Sequence, residues 1–264
     1  MGHRDDHEAM LRHYDEQDEG ARLLRSGHGR LELLRTRELL ERFLPSPPCR
    51  VLDVGGGTGV HASWLAGRGY DVHLLDPVPR HVEEAGRHGT FTATLGDARS
   101  LPEPAGSVGG VLLLGPLYHL VSAADRLTAL REARRVLERD GVLLAAAISR
   151  YMALLDWAAS GELTAEVAAR LSAVMSTGRH DPSLGFTPAF FHTPEGLAAE
   201  LAATGFQEVR VLGIEGPAWT AVDAAGPERW KAYLPSALLA ARLTEADPAL
   251  LPSSAHLLAV GRCG

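Results

Sequence analysis

Four glycines occupy five consecutive positions in Gly55-Gly56-Gly57-Thr58-Gly59, directly after the apolar run Val51-Leu52-Asp53-Val54. Glycine tolerates positive φ and lets the backbone approach a ligand closely. A helix N-terminus behind such a loop favours anionic or polar groups. The segment therefore predicts a nucleotide-type binding site, and four glycines exceed what a ligand-free strand–helix turn needs. Two acidic residues stand at comparable places further on. Asp76 closes Val72-His73-Leu74-Leu75-Asp76, a carboxylate at the end of the second extended run. Asp97 lies in Gly96-Asp97-Ala98 after a third short extended run. His119, in Gly115-Pro116-Leu117-Tyr118-His119, is the histidine best suited to act as a base or to orient a hydroxyl near neutral pH. Its plain alternative is a hydrogen bond into the next helix, with Tyr118 lining the same pocket.

These residues need a scaffold, and the order of the chain supplies one. Strand-like runs at 51–54, 71–76, 90–95, 109–114 and 142–148 alternate with helical stretches at 59–68, 79–88 and 123–138. Such alternation implies a parallel sheet with helices on both faces, and the nearly unbroken apolar strands fit burial from both sides. Residues 1–45 read as a helical extension, its longest helix around Leu31–Leu44 stopping at Pro45. Segments at about 151–192 and 214–253 interrupt the pattern as inserted cap elements. Thr193-Pro194 starts a helix, and strands at 206–213 and 255–260 complete the sheet. The expected division is an extension over 1–45 and one domain over 46–264.

Composition narrows the partners. The chain has 264 residues, 45% hydrophobic and 22% charged, which suits a large globular core. Its 26 basic and 33 acidic residues give a net charge of −7. Nucleic acid and anionic membrane would call for the opposite sign. Two cysteines, Cys49 and Cys263, make neither a disulfide framework nor a cysteine-rich metal site. The charged start MGHRDDHEAM lacks the apolar core of a signal peptide, so a cytoplasmic location is expected. His3 and His7 have the i,i+4 spacing of a metal pair but sit near the terminus, and no metal is predicted.

The glycine loop can be read in two registers. Gly57-x-Gly59-x-x-Ala62 fits the dinucleotide fingerprint. Asp53-x-Gly55-x-Gly57-x-Gly59 instead resembles motif I of the class I S-adenosylmethionine-dependent methyltransferases. Asp76, Gly96-Asp97-Ala98 and the strand end at Leu114 agree with that family, although a nicotinamide site would also place an acid at Asp76. Tyr14-Asp15-Glu16, His28-Gly29-Arg30-Leu31-Glu32, Pro116-Leu117-Tyr118-His119 and Phe191-His192-Thr193-Pro194 further resemble a group of bacterial small-molecule methyltransferases, many of them active in secondary metabolism.

The resemblance implies a Rossmann-like, seven-stranded, mostly parallel sheet with an N-terminal helical lid. It implies S-adenosylmethionine as cofactor and S-adenosylhomocysteine as product. Asp53, Gly55, Gly57, Thr58 and Gly59 would cradle the methionine portion, Asp76 the ribose, and Asp97 with Ala98 the adenine. Leu114 would face the methyl donor and Arg30 would reach the methionine carboxylate. Tyr14 would border the transferred methyl beside His119. Tyr118, Arg150, Tyr151, Phe191 and His192 would line an acceptor pocket. Eight of the fifteen aromatic residues fall in the two inserts, which suits an aromatic or apolar small molecule; they could equally form the inserts' own core or a homodimer contact. O-, N- and C-methylation stay open, as do a non-catalytic S-adenosylmethionine-binding protein and an NAD(P)-dependent oxidoreductase.

Overall fold

A computed structural model describes Leu11, Leu23 and residues 26–264. The expectations for His3, His7, Tyr14 and the acidic segment 15–19 lie outside the described residues.

Seven strands form one sheet: β1 (Arg50–Val54), β2 (Asp71–Asp76), β3 (Thr92–Leu95), β4 (Val108–Leu113), β5 (Leu137–Ile148), β6 (Phe206–Gly213) and β7 (His256–Cys263). Their order is β3-β2-β1-β4-β5-β7-β6, with β7 antiparallel to its two neighbours and the other pairings parallel. The mostly parallel sheet expected from the alternation is therefore present. Its winding reverses between β1 and β4, which opens a crevice at the carboxyl ends of these strands.

Ten helices surround the sheet among the described residues: α1 (Gly27–Phe43), α2 (Val60–Ala66), α3 (Pro79–Gly86), α4 (Pro116–His119), α5 (Ala123–Val136), α6 (Met152–Ser160), α7 (Ala165–Thr177), α8 (Pro194–Ala203), α9 (Trp219–Ala224) and α10 (Gly226–Thr244). None is long and apolar enough to cross a membrane. Alternate strand residues separate two cores. Leu52, Val111, Leu143 and Leu257 face α5 and α8 through Leu130, Ala133, Leu197 and Leu201. Val51, Leu74, Leu112, Leu144 and Leu258 face α1 and α2 through Leu39, Leu40, Ala62 and Leu65. Burial on both sides explains why these strands lack polar alternation.

Some boundaries move. Ser26 caps α1 by accepting the Gly29 N–H, so the helix begins before Leu31. β5 begins at Leu137 rather than Val142, because Leu137 already pairs with Val108. The Asp140-Gly141 turn, with Asp140 at φ 63°, sits inside the strand as an irregularity. The loop after β4 contains the short helix α4, started by Pro116.

The insert at 151–192 forms α6 and α7 around their own core of Leu171, Val174 and Phe191, joined by Trp157 and Phe186. The insert at 214–253 forms α9 and α10, which enclose Leu31 of α1 with Trp219, Val222 and Trp230. Arg35 ties these layers together. Its buried guanidinium pairs with Glu38 and, at 2.6 Å, with Glu245, and donates to the Ile214 carbonyl at 3.2 Å. Arg35→Ala is expected to destabilise the fold by about 2 kcal/mol. Truncating one partner of a buried ion pair usually costs about 3–5 kcal/mol, and Glu245 is 17% exposed and keeps Arg42. Urea unfolding measures the difference.

Candidate active site

The first βα turn is the floor of the cleft. Gly55 and Gly57 adopt φ of +70° and +58°. A Cβ on Gly55 would lie 2.8 Å from Pro116 of α4 across the crevice, whereas one on Gly57 would meet no atom within 4 Å. Gly55 thus closes the β1–α4 junction, and Gly57 leaves backbone open to the cleft. Gly56 is equally confined, its added Cβ lying 2.8 Å from Asp53 Oδ2. Gly59 caps α2 in the left-handed region.

Around this floor the cleft holds, mouth included, about 1190 Å³. Its walls are the ends of four parallel strands and the turns that follow them: Asp53 to Thr58 at β1, Asp76 to Val78 at β2, Gly96 to Arg99 after β3, and Leu114 to Pro116 with Tyr118 to Leu120 after β4. Leu23 and Glu32 face it from the N-terminal side. The backbone thus brings Asp53, Gly55, Gly57, Thr58, Asp76, Asp97, Ala98, Leu114, Tyr118 and His119 to one cavity, from strands separated in sequence. Gly59 shapes the turn from behind.

Asp76 organises the centre. Its Oδ2 accepts the Gly57 N–H at 2.8 Å, while its Oδ1 accepts the Val78 N–H at 2.9 Å and faces His81 Nδ1 at 3.1 Å. The carboxylate therefore locks the glycine loop against β2, with lone-pair capacity left for ligand hydroxyls. Asp53 is almost completely buried, and its Oδ2 has no hydrogen-bond partner. Burial, reinforced by the negative charge of Asp76, pushes its pKa up to about 7. A buried carboxyl with one oxygen lacking a donor, in the wall of a cleft, suits a cationic ligand group.

Asp97, on the cleft wall after β3, pairs with its neighbour Arg99. Its carboxylate forks onto Arg99, with Nε 2.9 Å from Oδ1 and Nη2 2.6 Å from Oδ2. Ala98, nearly buried, lines the wall beside it.

On the opposite wall, His119 ends α4 with its Nδ1 3.4 Å from Thr187 Oγ1, and its ring lies 5.9 Å from that of Phe186. Tyr118 packs against His119 at 4.5 Å, and its carbonyl accepts the Phe190 N–H at 2.8 Å. The first insert thus meets the cleft residue His119 through Phe186 and Thr187, which stand behind it.

The remaining expected residues lie elsewhere. Arg150 donates to the carbonyls of Phe191 at 2.8 Å and Met175 at 3.2 Å, which fastens the insert to the end of β5. Phe191 is in the insert's core. His192 is buried against Glu200 at 3.2 Å, and desolvation lowers its pKa. Glu200 in turn receives both Arg126 Nε and Nη2. Tyr151 is surface-exposed at the start of α6. These four are not among the residues lining the cleft; Arg150, Phe191 and His192 build the joint between insert and sheet. Arg30 lies on α1 and likewise does not line the cleft among the described residues. His81 and Thr187 escaped the sequence reading. His81 stands five residues after Asp76 in the first turns of α3, a spacing that could have flagged it. Thr187 carries no local signal.

Comparison with known proteins finds a family match over part of the chain and a shared fold. Residues 51–141 match the family described as "Methyltransferase domain", and this stretch contains both glycine registers. An uncharacterised methyltransferase of Mycobacterium tuberculosis is 37% identical over 108 residues, covering 40% of this chain and 42% of that protein. A ubiquinone biosynthesis O-methyltransferase of Methylocella silvestris is 31% identical over 145 residues, covering 52% of this chain and 54% of that protein. The matched stretches thus span about half the length of these relatives. The crystal structure of a SAM-dependent methyltransferase of Thermotoga maritima superposes with a TM-score of 0.58 at 19% identity, over 90% of this chain and 91% of that one. It is a likeness of fold.

Proposed function

We propose that this chain, which carries a methyltransferase domain of the class I S-adenosylmethionine-dependent type, methylates a small aromatic or apolar organic acceptor at O, N or C. The observation that carries the reading is the pairing of Asp53 and Asp76 around the glycine loop. One buried carboxyl has an oxygen that lacks a donor, and the other holds the loop while keeping acceptor capacity for hydroxyls.

Bound in this cleft, S-adenosylmethionine would supply an electrophilic methyl group on a sulfonium, open to in-line displacement by the acceptor. The chain's own task is then alignment, exclusion of water and management of one proton. Gly55–Gly59 and Asp53 would hold the methionine portion, Asp76 the ribose, and Ala98 the adenine face. Asp97 would contribute there through its pairing with Arg99. His119, oriented by Thr187, would take or steer the acceptor's proton, and Tyr118 and Phe186 would form an aromatic wall. The extension over residues 1–45 would act as a lid on the domain formed by 46–264, with Tyr14 and Arg30 contributing from it. The cap inserts would then set acceptor shape from Thr187 and Phe186, with Arg150, Phe191 and His192 fixing their position. A secondary-metabolic role fits the small-molecule reading.

Calorimetric titration with S-adenosylmethionine, S-adenosylhomocysteine and NADPH, followed by S-adenosylhomocysteine release across phenols, indoles and amines, tests the proposal. Micromolar binding of the two sulfur compounds with turnover on one acceptor class supports it. Binding without turnover on any class would favour a binding protein, and NADPH binding would favour hydride transfer. With an O–H or N–H acceptor, His119→Ala is expected to lower kcat about 100-fold, the low end of general-base contributions. Cofactor Kd should stay within about twofold, because His119 would handle the acceptor's proton and not the cofactor.

A further inference from the structure

Beyond the glycine loop, four potential metal ligands converge from three elements of the fold. His28 and Glu32 stand one turn apart on α1, so they share a helix face. Glu215 follows β6, and His256 opens β7. One ligand atom from each lies within 4.8 Å of all the others. The parallel direction of β6 and the reversed direction of β7 bring Glu215 and His256 to the same sheet edge as the cleft, and Glu32 also lines that cleft.

The two oxygens of the fully buried Glu215 have separate environments. Oε2 accepts the Ser254 hydroxyl and the His256 backbone N–H, both at 2.9 Å. Oε1 faces His256 Nδ1 at 2.5 Å and His28 Nε2 at 3.4 Å. One oxygen is therefore fixed by outer donors while the other points at two imidazoles, the arrangement that orients a ligating carboxylate. Burial alone would raise the Glu215 carboxyl, but His256 and His28 beside it hold it well below the usual range. The His28 ring is steadied by Trp219, 4.8 Å away between centroids.

We propose that His28, Glu32, Glu215 and His256 bind a divalent transition-metal ion of the zinc class, clamping α1 onto the ends of β6 and β7. Two imidazole nitrogens and two carboxylate oxygens form a borderline donor set that suits this class over calcium or magnesium. Two carboxylates with two neutral imidazoles balance a dication. Bond lengths of about 2.0–2.2 Å would place tetrahedral ligand atoms roughly 3.4 Å apart, so the cluster reaches that geometry by small side-chain rotations. Four protein ligands make a closed, structural site, and the clamp would fix Glu32 in the cleft wall. His28 and Glu215 are 187 positions apart, which is why motif spacing predicts no metal. The site is independent of the methyl-transfer reading, since its test uses no cofactor.

The test uses the full chain carrying His3→Ala and His7→Ala, which removes the competing N-terminal imidazoles. The chelator-treated protein is titrated with Co²⁺ and then Zn²⁺. One equivalent of Co²⁺ should develop the visible absorption of a four-coordinate ion, and Zn²⁺ should bleach it. Saturating Zn²⁺ should raise Tm by about 5–10 °C. His28→Gln, with Glu32→Gln as a second partly exposed position, should weaken Co²⁺ binding at least tenfold while preserving the far-UV spectrum. Absence of stoichiometric Co²⁺ absorption would overturn the proposal, as would parental affinity in both variants; the cluster would then be a hydrogen-bonded junction only.

Discussion

Asp76→Ala is expected to weaken S-adenosylmethionine binding about a thousandfold, roughly 4 kcal/mol. Two contributions add. Hydrogen bonds from ribose hydroxyls to a carboxylate are charge-assisted, each worth about 1.5–3 kcal/mol. The same carboxylate accepts the Gly57 and Val78 N–H groups and faces His81, so its removal also frees the loop on which the methionine portion would rest. Asp76→Asn separates the two: its amide keeps one acceptor oxygen, and its loss should be smaller. Calorimetry with S-adenosylmethionine and S-adenosylhomocysteine reads both variants, and the two ligands should weaken in parallel because they share a ribose. An affinity within about fivefold of the parent for Asp76→Ala would remove Asp76 from the cofactor site.

Asp76 also marks how far the sequence could be read. The strand alternation and glycine loop are local signals, because two-sided burial and positive φ leave their trace in neighbouring residues. The seven-stranded sheet and the gathering of Asp53, Gly57, Asp76, Ala98, Tyr118 and His119 at one edge were legible for that reason. The inserts were legible as interruptions but not in their contacts. Arg150 falls near the end of a parallel strand, a position that predicts a cleft residue, and His192, just before a helix start, reads as a pocket residue or a helix-start residue. Arg150 instead donates to the carbonyls of Phe191 and Met175, and His192 packs on Glu200, because the insert's own backbone needs these partners. The insert aromatics likewise bury one another around Leu171 and Trp219, while Phe186 meets His119. Such pairings join segments far apart in sequence, and neither periodicity nor spacing encodes them. Thr187 beside His119 is the same case.

Asp53→Asn should stabilise the protein while impairing the proposed function, with opposite signs that a single pH series can separate. The folded-state pKa of Asp53 is raised from 3.8 to about 7 by burial and by the charge of Asp76. The folded state therefore holds a proton that the unfolded state releases between these values. Stability from this group is complete below about pH 4 and is lost as pH rises through about 7. Roughly three pKa units at 1.36 kcal/mol each set an upper value near 4 kcal/mol for the penalty above pH 7. The neutral amide avoids that penalty, so Asp53→Asn should be more stable by about 2–4 kcal/mol at pH 8, with the gap closing toward pH 4. Binding should move the other way. The cofactor's ammonium and sulfonium are cations, and the orphaned Oδ2 in the cleft wall favours them only when ionised. Parent affinity should fall as pH drops below about 7, and Asp53→Asn should bind more weakly at pH 8 without that slope. Urea unfolding and calorimetry at pH 5.5, 7 and 8 measure both effects. A variant that loses stability at pH 8, or that keeps parental affinity there, would show that the Asp53 carboxylate is not held in reserve for a cationic ligand.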